Sequence, residues 1–300
     1  MLLTPIEVRD KGLHYCAGTN DRCSDETKAK QFHAHYGSPA LVLANLWFDL
    51  TVTDIPGAAL EEQDKTEAGF KMFLVAHYFL WTYPKNSFLL ASQFGISERY
   101  SRGVHIWRWV ARIAAMKEDK IKWPSNLDRP ESERFIITVD GTDFRMNEMQ
   151  HPTMPVDRRQ FSHKFNHGAV KYEIGISVFD DQCVWISGPH PGGKHDLTIF
   201  REGLKAKIRP GKLIIADRGY RTSRDDEAML CPPDEVDSPA LNNFKSRARL
   251  RHETFNGRLK RFQCLSETFR HTQEKHRLAF EAVCVITQYQ MDNGSPLYEV

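Results

Sequence analysis

Residues 135–140 read Phe-Ile-Ile-Thr-Val-Asp, and residues 141–143 continue with Gly-Thr-Asp. A dense run of β-branched residues that ends on a carboxylate predicts a buried strand that carries an acid to its end. The same pattern returns at residues 213–217, Leu-Ile-Ile-Ala-Asp, followed by Arg-Gly-Tyr. The sequence therefore predicts two buried strands, one delivering Asp140 and the other Asp217.

A third carboxylate, Glu253, lies in a basic segment of helical character. Residues 244–277 contain ten Lys or Arg against three Glu, although the net charge of the whole chain is only +2. An acid embedded in such a segment favours binding of a polyanion over a merely solvated helix face. One face of the predicted helix carries the acid among cations that can hold phosphates: Arg249, Glu253, Asn256 and Lys260. The predicted DNA-binding residues of this segment are Arg249, Arg258 and Lys260.

Length and composition indicate one large or two ordinary globular domains. The chain has 300 residues, of which 41% are hydrophobic and 11% aromatic, enough for a sizeable core. No apolar run approaches the roughly 20 residues that a membrane span needs, and the N-terminal residues lack the pattern of a secretory signal. The six cysteines are scattered, which suits reduced thiols. We therefore expect a soluble protein that is not secreted, nuclear if the source is eukaryotic and otherwise cytoplasmic.

Residues 66–117 predict an all-helical region of the helix-turn-helix type. A helix at 86–94 is stopped by Gly95, and a second, capped helix follows over 97–113. Residues 85–117 carry six Lys or Arg against one Glu. Many helical hairpins share this spacing without touching DNA, but beside a nuclease-like site the basic charge favours DNA binding. The candidate contacts at the start of the second helix are Arg99 and Arg102.

The strand pattern begins after a charged, proline-containing linker. Strands predicted at 135–145, 170–179 and 183–187 form an antiparallel meander. Later elements are a helix near 195–204, the strand that ends at Asp217, a short strand near 228–231, a long helix through Glu253 and a closing helix at 279–289. This order predicts an α/β fold with a mixed sheet, three antiparallel strands plus parallel strands, and flanking helices. It is the order of the ribonuclease-H-like fold, in which a central strand, its neighbour and a later helix each contribute an acid.

The three acids suit two-metal hydrolysis of a phosphodiester. Such chemistry needs hard oxygen ligands that converge on two ions roughly 3.5–4 Å apart. Asp140, in the sheet centre, is expected to bridge both ions, while Asp217 and Glu253 hold one each. A single Asp at a strand end is usually a turn or cap residue, but three acids in these contexts favour a metal site.

Four further residues are expected to support the site. On a continuing strand Asp143 faces away from Asp140, so we interpret it as supporting or structural. Asp196 is expected to cap its helix, although a ligand role is the alternative. His195 and His252 are interpreted as contacts to phosphate or water.

Together these motifs resemble the DDE transposase superfamily, and within it the PIF/Harbinger-like branch, which is related to bacterial insertion sequences. The resemblance covers about residues 135–290. It rests on Val-Asp-Gly-Thr at 139–142, Gly-Pro at 188–189, Gly-Gly-Lys-His-Asp at 192–196, Ala-Asp-Arg-Gly-Tyr at 216–220 and the basic stretch at 251–260.

The resemblance implies a ribonuclease-H-like catalytic domain that cuts transposon-end DNA with two Mg²⁺ or Mn²⁺ ions. It also implies that Asp140, Asp217 and Glu253 are the catalytic, metal-binding triad. In Harbinger-like systems a separate Myb-like protein assists DNA binding and nuclear entry, and the absence of a Myb-like tryptophan repeat here agrees with such a partner. We further expect a homo-oligomer in the active complex.

Two alternatives stay open. The chain could be a domesticated, transposition-inactive DNA-binding protein derived from such a transposase, or an ordinary repair or RNA-strand nuclease on the same fold. Terminal inverted repeats around the gene would separate a mobile from a domesticated copy, and a cleavage assay would separate nuclease from scaffold. The predicted organisation is an N-terminal segment without assigned role (1–65), the helical DNA-binding region (66–117), a linker (118–134), the catalytic domain (135–290) and a tail (291–300).

Overall fold

The apolar run that leads to Asp140 forms strand β1 (Phe135–Arg145) in the computed structural model. The structure describes residues 2–16, 23–123, 125–128, 134–147, 158–162, 164–222, 224, 227, 229–232, 234 and 237–300. Within these ranges no helix is both long and apolar enough to cross a membrane. The chain divides into a helical unit (Met1–Lys120, Leu259–Glu267, Glu274–Ser295) and a sheet unit (Ile121–Arg258, Thr268–Gln273, Pro296–Val300).

The sheet unit is built on β1 and four further strands in the described residues: β2 (Phe161–Ser162), β3 (His167–Ser177), β4 (Cys183–Pro191) and β5 (Leu213–Ala216). β3 pairs antiparallel with β1 on one side and with β2 and β4 on the other, while β5 pairs parallel with β1. The predicted antiparallel meander and mixed sheet are therefore confirmed.

The short strand predicted near residues 228–231 is wrong. Among the described residues there, Leu230 makes only an isolated parallel bridge to Ile214 of β5. Pro232 follows directly, and a proline has no backbone N–H to continue a ladder. The parallel part of the sheet therefore consists of β1 and β5 in the described chain.

Two helical layers cover the sheet unit, because β1 alternates its side chains between the two faces of the sheet. Val139 packs with Leu197 and Phe200 of helix α9 (Asp196–Glu202) on one face. On the other face Ile215 packs with Ala248 of helix α10 (Pro239–Leu259). Full burial of an aliphatic or aromatic side chain contributes roughly 1.5–3 kcal/mol, so these contacts hold α9 and α10 firmly against the sheet.

The helical unit contains α1 (Pro5–Cys16), α2 (Asp25–Tyr36), α3 (Ala40–Val52), α4 (Glu67–Thr82), α5 (Ser87–Phe94), α6 (Glu98–Arg102), α7 (Val104–Ala115), α8 (Lys117–Lys120) and α11 (Gln263–Ser266). Helix α12 (Gln273–Asp292), predicted as the closing helix of the catalytic domain, groups with this unit from Glu274 onward. Trp47 of α3 stacks edge-on against Phe70 of α4, with ring centroids 5.1 Å apart. The predicted domain boundaries stay predictions.

The second helix of the predicted helix-turn-helix is interrupted. Gly95 ends α5 in the left-handed region (φ +55°), as its position predicts. Gly103 then leaves the helical conformation (φ −133°, ψ −146°) and separates the five-residue α6 from α7. The periodic apolar residues of α7, such as Ile106 and Val110, continue beyond this break, so periodicity alone predicted one helix where there are two.

Candidate active site

Two adjacent strands of the sheet carry the first two carboxylates. Val139 of β1 pairs in parallel with Ala216, the last residue of β5. Asp140, the next residue within β1, and Asp217, the first residue after β5, therefore lie side by side. After Asp217 the chain turns through a short 3-10 helix, and the N–H of Tyr220 donates to the Asp217 carbonyl oxygen at 3.0 Å.

Helix α10 adds the third carboxylate. Glu253 and Asn256 lie one turn apart on one face of this helix. That face is directed toward β1, because Asn256 Nδ2 donates to Asp140 Oδ2 at 3.0 Å. An open cleft is lined by Thr138, Val139, Asp140, Asp217, Arg249, His252 and Glu253. The structure therefore brings the three predicted acids to a single cleft.

A guanidinium lies against two of these acids. Arg249 Nη2 is 3.1 Å from Asp217 Oδ1 and 4.0 Å from Glu253 Oε1. The sequence placed Arg249 one turn before Glu253, and the structure adds the pairing with Asp217, which lies 32 positions earlier in the chain. The positive charge of Arg249 is thus balanced by carboxylates of the cleft.

The charges of neighbouring carboxylates act on the buried Asp140. Burial, followed by the charges of Asp217 and Asp196, raises the pKa of this carboxyl to about 7, while the Gly141 N–H and Arg249 oppose the shift. Carboxylates that repel each other in a partly desolvated cleft favour either a proton or a cation. The cleft therefore attracts positive charge beyond that of Arg249.

The donor atoms fit a hard divalent cation, because all three candidate ligands are carboxylate oxygens. Among the residues that the structure describes, however, no three His, Cys, Asp or Glu side chains are gathered closely enough to hold a metal ion as they stand. Arg249 contacts two of the three acids instead. The three carboxylates are therefore chemically suited to bind a metal ion. The Arg249 guanidinium pairs with two of them and would compete with that ion.

His252 joins α10 to β1. Its Nδ1 shares a 2.8 Å hydrogen bond with Thr138 Oγ1, and the ring is buried. Burial, followed by the charge of Arg249, lowers the pKa of His252 to about 3, so the imidazole is neutral. These contacts favour a supporting role in which His252 fixes the position of α10 relative to β1, the strand that carries Asp140. The predicted contact with phosphate or water stays a prediction.

The supporting residues Asp143, His195 and Asp196 lie on the opposite face of β1, toward α9. Asp143 hydrogen-bonds with Ser162. The predicted helix cap is wrong by one residue: His195 caps α9, its Nδ1 accepting from the Leu197 N–H at 3.2 Å, while Asp196 pairs with Lys171 Nζ at 2.9 Å. Asp196 is not needed as a cap, because the imidazole of His195 already accepts a backbone N–H of the first turn.

Asp196 lies directly behind the backbone of both acid-bearing segments. A Cβ atom at Gly141 would come within 2.3 Å of Asp196 Oδ1, and one at Gly219 within 3.4 Å of Oδ2. Only a glycine at 141 therefore lets this carboxylate approach the strand so closely. This explains the glycine next to Asp140 and the influence of Asp196 on the pKa of Asp140.

The structure separates the cations that the sequence grouped together. Arg258 Nη2 donates to the Pro296 carbonyl oxygen at 2.9 Å. Lys260 follows the end of α10 and belongs to the helical unit. Arg99 is exposed on α6, and the side chain of Arg102 lies outside what the structure describes. Of the four candidates whose side chains the structure describes, Arg249 lines the cleft.

Sequence reasoning missed a buried carboxylate that supports the Asp217 segment. Glu173 of β3 is fully buried and accepts from Trp185 Nε1 at 2.9 Å and from the Tyr220 hydroxyl at 3.4 Å. Burial raises the pKa of Glu173 to about 7. The tyrosine of the Asp-Arg-Gly-Tyr motif is thus an anchor that ties the turn after Asp217 to β3 and β4. An acid in the middle of an apolar strand was the available signal.

Sequence reasoning also missed the contacts of α10 on its side away from Glu253. Arg247 Nη2 donates to the Glu299 carbonyl oxygen at 2.9 Å, and Arg251 donates to the carbonyl oxygens of Tyr298 at 3.1 Å and Asp180 at 2.6 Å. Segment Pro296–Val300 therefore runs along the side of α10 that faces away from Glu253. No local pattern predicts this pairing, because it joins segments about 50 residues apart.

Comparison with known proteins identifies a family for the part of the chain that contains the cleft. The family model described as DDE superfamily endonuclease matches residues 139–288, half of the chain. All three acids of the cleft lie inside the matched region. No curated protein and no solved structure matches the chain.

Proposed function

We propose that this chain, which belongs to the DDE superfamily of endonucleases, is a transposase. It cuts transposon-end DNA at the cleft of Asp140, Asp217 and Glu253. Cleavage by two-metal hydrolysis is followed by strand transfer. The observation that carries this proposal is that three carboxylates from a central strand, its parallel neighbour and a later helix line one cleft within the matched region.

Divalent metals are in general use in this superfamily, and we propose Mg²⁺ or Mn²⁺ held by Asp140, Asp217 and Glu253. When bound, such ions activate water and stabilise the leaving oxygen of a phosphodiester. The chain supplies the oxygen donors and fixes their positions. Asn256 orients the Asp140 carboxylate through its 3.0 Å hydrogen bond, while the neutral His252 holds α10 on Thr138.

The chain also supplies the rigid support that such a site requires. Tyr220 and Glu173 hold the turn after Asp217 on the face of the sheet away from the cleft. Asp196 fills the space beneath Gly141 and Gly219. Each catalytic carboxylate is therefore carried on a regular element or on a turn that is anchored to one, in a ribonuclease-H-like arrangement.

Recognition of the DNA ends belongs, in this proposal, to the helical unit. Helices α5 and α6 are joined by a turn at Gly95, and Arg99 is exposed on α6. Base contacts in helix-turn-helix proteins come from the first turns of the second helix. A Myb-like accessory protein, a homo-oligomeric active complex and a nuclear location in a eukaryotic cell complete the proposal.

The deciding experiment is Mn²⁺-dependent nicking of labelled duplex DNA that carries the element's own ends. Purified full-length protein is incubated with this DNA in Mn²⁺, in Mg²⁺ and in EDTA. We expect nicks at the ends that require the metal, and no increase over background in EDTA. Glu202→Gln, which removes an exposed carboxylate on α9, serves as the matched control and should cut like the wild type.

The same assay separates the alternatives. Tight binding to the ends without nicking in either metal would favour the domesticated, transposition-inactive DNA-binding protein. Equal cutting of unrelated DNA or of RNA strands would favour a general repair or RNA-strand nuclease on the same fold.

A further inference from the structure

We propose that Arg249 is an internal counter-ion that competes with the divalent metal for Asp217 and Glu253, and that, once displaced, it binds the DNA phosphate next to the metals. This inference rests on the proposed function of the cleft. It gives Arg249 a positioning role that couples metal loading to DNA binding.

The first argument is the position of the guanidinium. Arg249 Nη2 lies 3.1 Å from Asp217 Oδ1 and 4.0 Å from Glu253 Oε1, so one nitrogen reaches toward oxygens of two proposed metal ligands. All three side chains line the same cleft. The guanidinium thus neutralises the two acids that would otherwise repel each other and Asp140.

The second argument is that the pair is weak enough to open. The side chain of Arg249 is 34% exposed, that of Asp217 46% and that of Glu253 61%. Ion pairs with this exposure are screened by water and contribute little. A divalent cation carries twice the charge and binds carboxylate oxygens directly. Asp217 and Glu253 therefore exchange Arg249 for the metal when the metal is present.

The third argument comes from the other arginines of α10. Arg247 and Arg251 donate to backbone carbonyl oxygens of segment Pro296–Val300, which hold them in the fold. Arg249 instead pairs with carboxylates that the proposed metals would bind. Arg249 is therefore the arginine of α10 whose ion pairs change when the cleft takes a cation.

The displaced guanidinium cannot move far, because it is tethered one helical turn before Glu253. Its planar fork of donors suits a phosphate group, which it can bind through two hydrogen bonds. Metal loading therefore delivers a phosphate-binding group to the edge of the cleft. By linkage, metal raises DNA affinity and DNA raises metal affinity by the same factor.

The direct test follows the accessibility of Arg249 in full-length wild-type protein. Phenylglyoxal modifies free guanidinium groups, and peptide mass spectrometry gives the rate at each arginine. We expect Mn²⁺ alone to speed modification of Arg249 at least about threefold and the Asp217→Asn substitution to do the same without metal. Arg247, which faces away from Glu253, is the internal reference and should not change.

Calorimetry with Mn²⁺ on the same protein distinguishes the two levels of inference. If the wild type binds no Mn²⁺, the proposed function of the cleft fails, and this inference with it. If Mn²⁺ binds but the modification rate of Arg249 stays constant, the proposed function stands and the exchange of Arg249 is refuted.

A second test measures the coupling. DNA affinity is determined by fluorescence anisotropy with and without Ca²⁺, used in place of Mn²⁺ to suppress cleavage. We expect Ca²⁺ to raise the affinity of wild-type protein and of Arg247→Gln about tenfold, and that of Arg249→Gln less than twofold. Equal enhancement in all three proteins would show that Arg249 does not carry the coupling.

Discussion

The two sides of α10 use arginine in opposite ways. On the side away from Glu253, three arginines donate to backbone carbonyl oxygens of residues 296–299: Arg247, Arg251 and Arg258. On the cleft side, Arg249 faces the carboxylates of Asp217 and Glu253. A neutral carbonyl oxygen attracts a divalent cation less strongly than a charged carboxylate does, so a carboxylate in a cleft more readily exchanges one cation for another. The type of acceptor therefore distinguishes the arginines that stabilise the fold from Arg249, whose partners belong to the cleft.

The largest expected effect lies on the cleft side. Asp140→Asn, Asp217→Asn and Glu253→Gln should each lower the rate of Mn²⁺-dependent nicking by at least about 10³-fold, as losses of residues that act as a unit do. DNA binding in EDTA should be retained, because the cations remain. Gel-based nicking and anisotropy assays on each variant measure both quantities. A single one of these variants that cuts at the wild-type rate would remove that residue from the metal-binding set.

The next effect lies on the opposite side and concerns stability. Arg251 is buried, and its loss leaves Asp181 and the carbonyl oxygens of Asp180 and Tyr298 without this donor. We expect Arg251→Ala to lower the free energy of unfolding in urea by about 2–4 kcal/mol.

The matched variant is Arg249→Ala. Because the ion pairs of Arg249 are exposed, their loss should lower the free energy of unfolding by less than about 1 kcal/mol. If both substitutions destabilise the protein equally, the contrast between the two sides of α10 does not hold.

A smaller effect should appear in the pH dependence of stability. The pKa of Asp140 is raised from the ordinary 3.8 to about 7, chiefly by burial. The folded protein thus binds this proton more tightly than the unfolded chain, and the contribution is complete below pH 4 and is lost as the pH rises toward 7. In EDTA, Asp140→Asn should therefore be more stable than the wild type by about 1–3 kcal/mol at pH 8.

That advantage of Asp140→Asn should shrink toward zero at pH 4, because both proteins are then uncharged at this position. Urea unfolding at several pH values measures the difference, with Glu202→Gln as the control for a carboxylate outside the cleft. An advantage that grows on acidification would contradict the assignment of the raised pKa to Asp140.

The sequence predicted features that depend on residues close together in the chain better than contacts between distant segments. The β-branched runs before Asp140 and Asp217 predicted β1 and β5 because strand formation and burial are encoded within a few residues. Helix periodicity likewise predicted that Arg249 and Glu253 share a face. These local signals were enough to select three acids that line one cleft in the structure.

The contacts that complete the site are not local. Asn256 reaches Asp140 across 116 positions, and Tyr220 reaches Glu173 across 47. Such pairings depend on how the elements pack, which the spacing of one segment does not contain. The same reason explains why Arg258 resembled Arg249 in the sequence: both lie in one basic run, and only the tertiary partner separates them.

The finest test of the comparison is the salt dependence of DNA binding. Each phosphate contact that a cation neutralises contributes about 0.9 to the slope of log affinity against log salt on duplex DNA. In Ca²⁺, Arg249→Gln should therefore flatten this slope by about one, similarly for specific ends and random duplexes, because phosphate contacts do not read bases. Arg258→Gln should leave the slope unchanged, since this guanidinium donates to the Pro296 carbonyl oxygen. Anisotropy titrations across a series of KCl concentrations measure both variants against the wild type. An unchanged slope for Arg249→Gln would confine this residue to its pairs with Asp217 and Glu253. A flattened slope for Arg258→Gln would instead show that the side of α10 away from Glu253 also meets DNA.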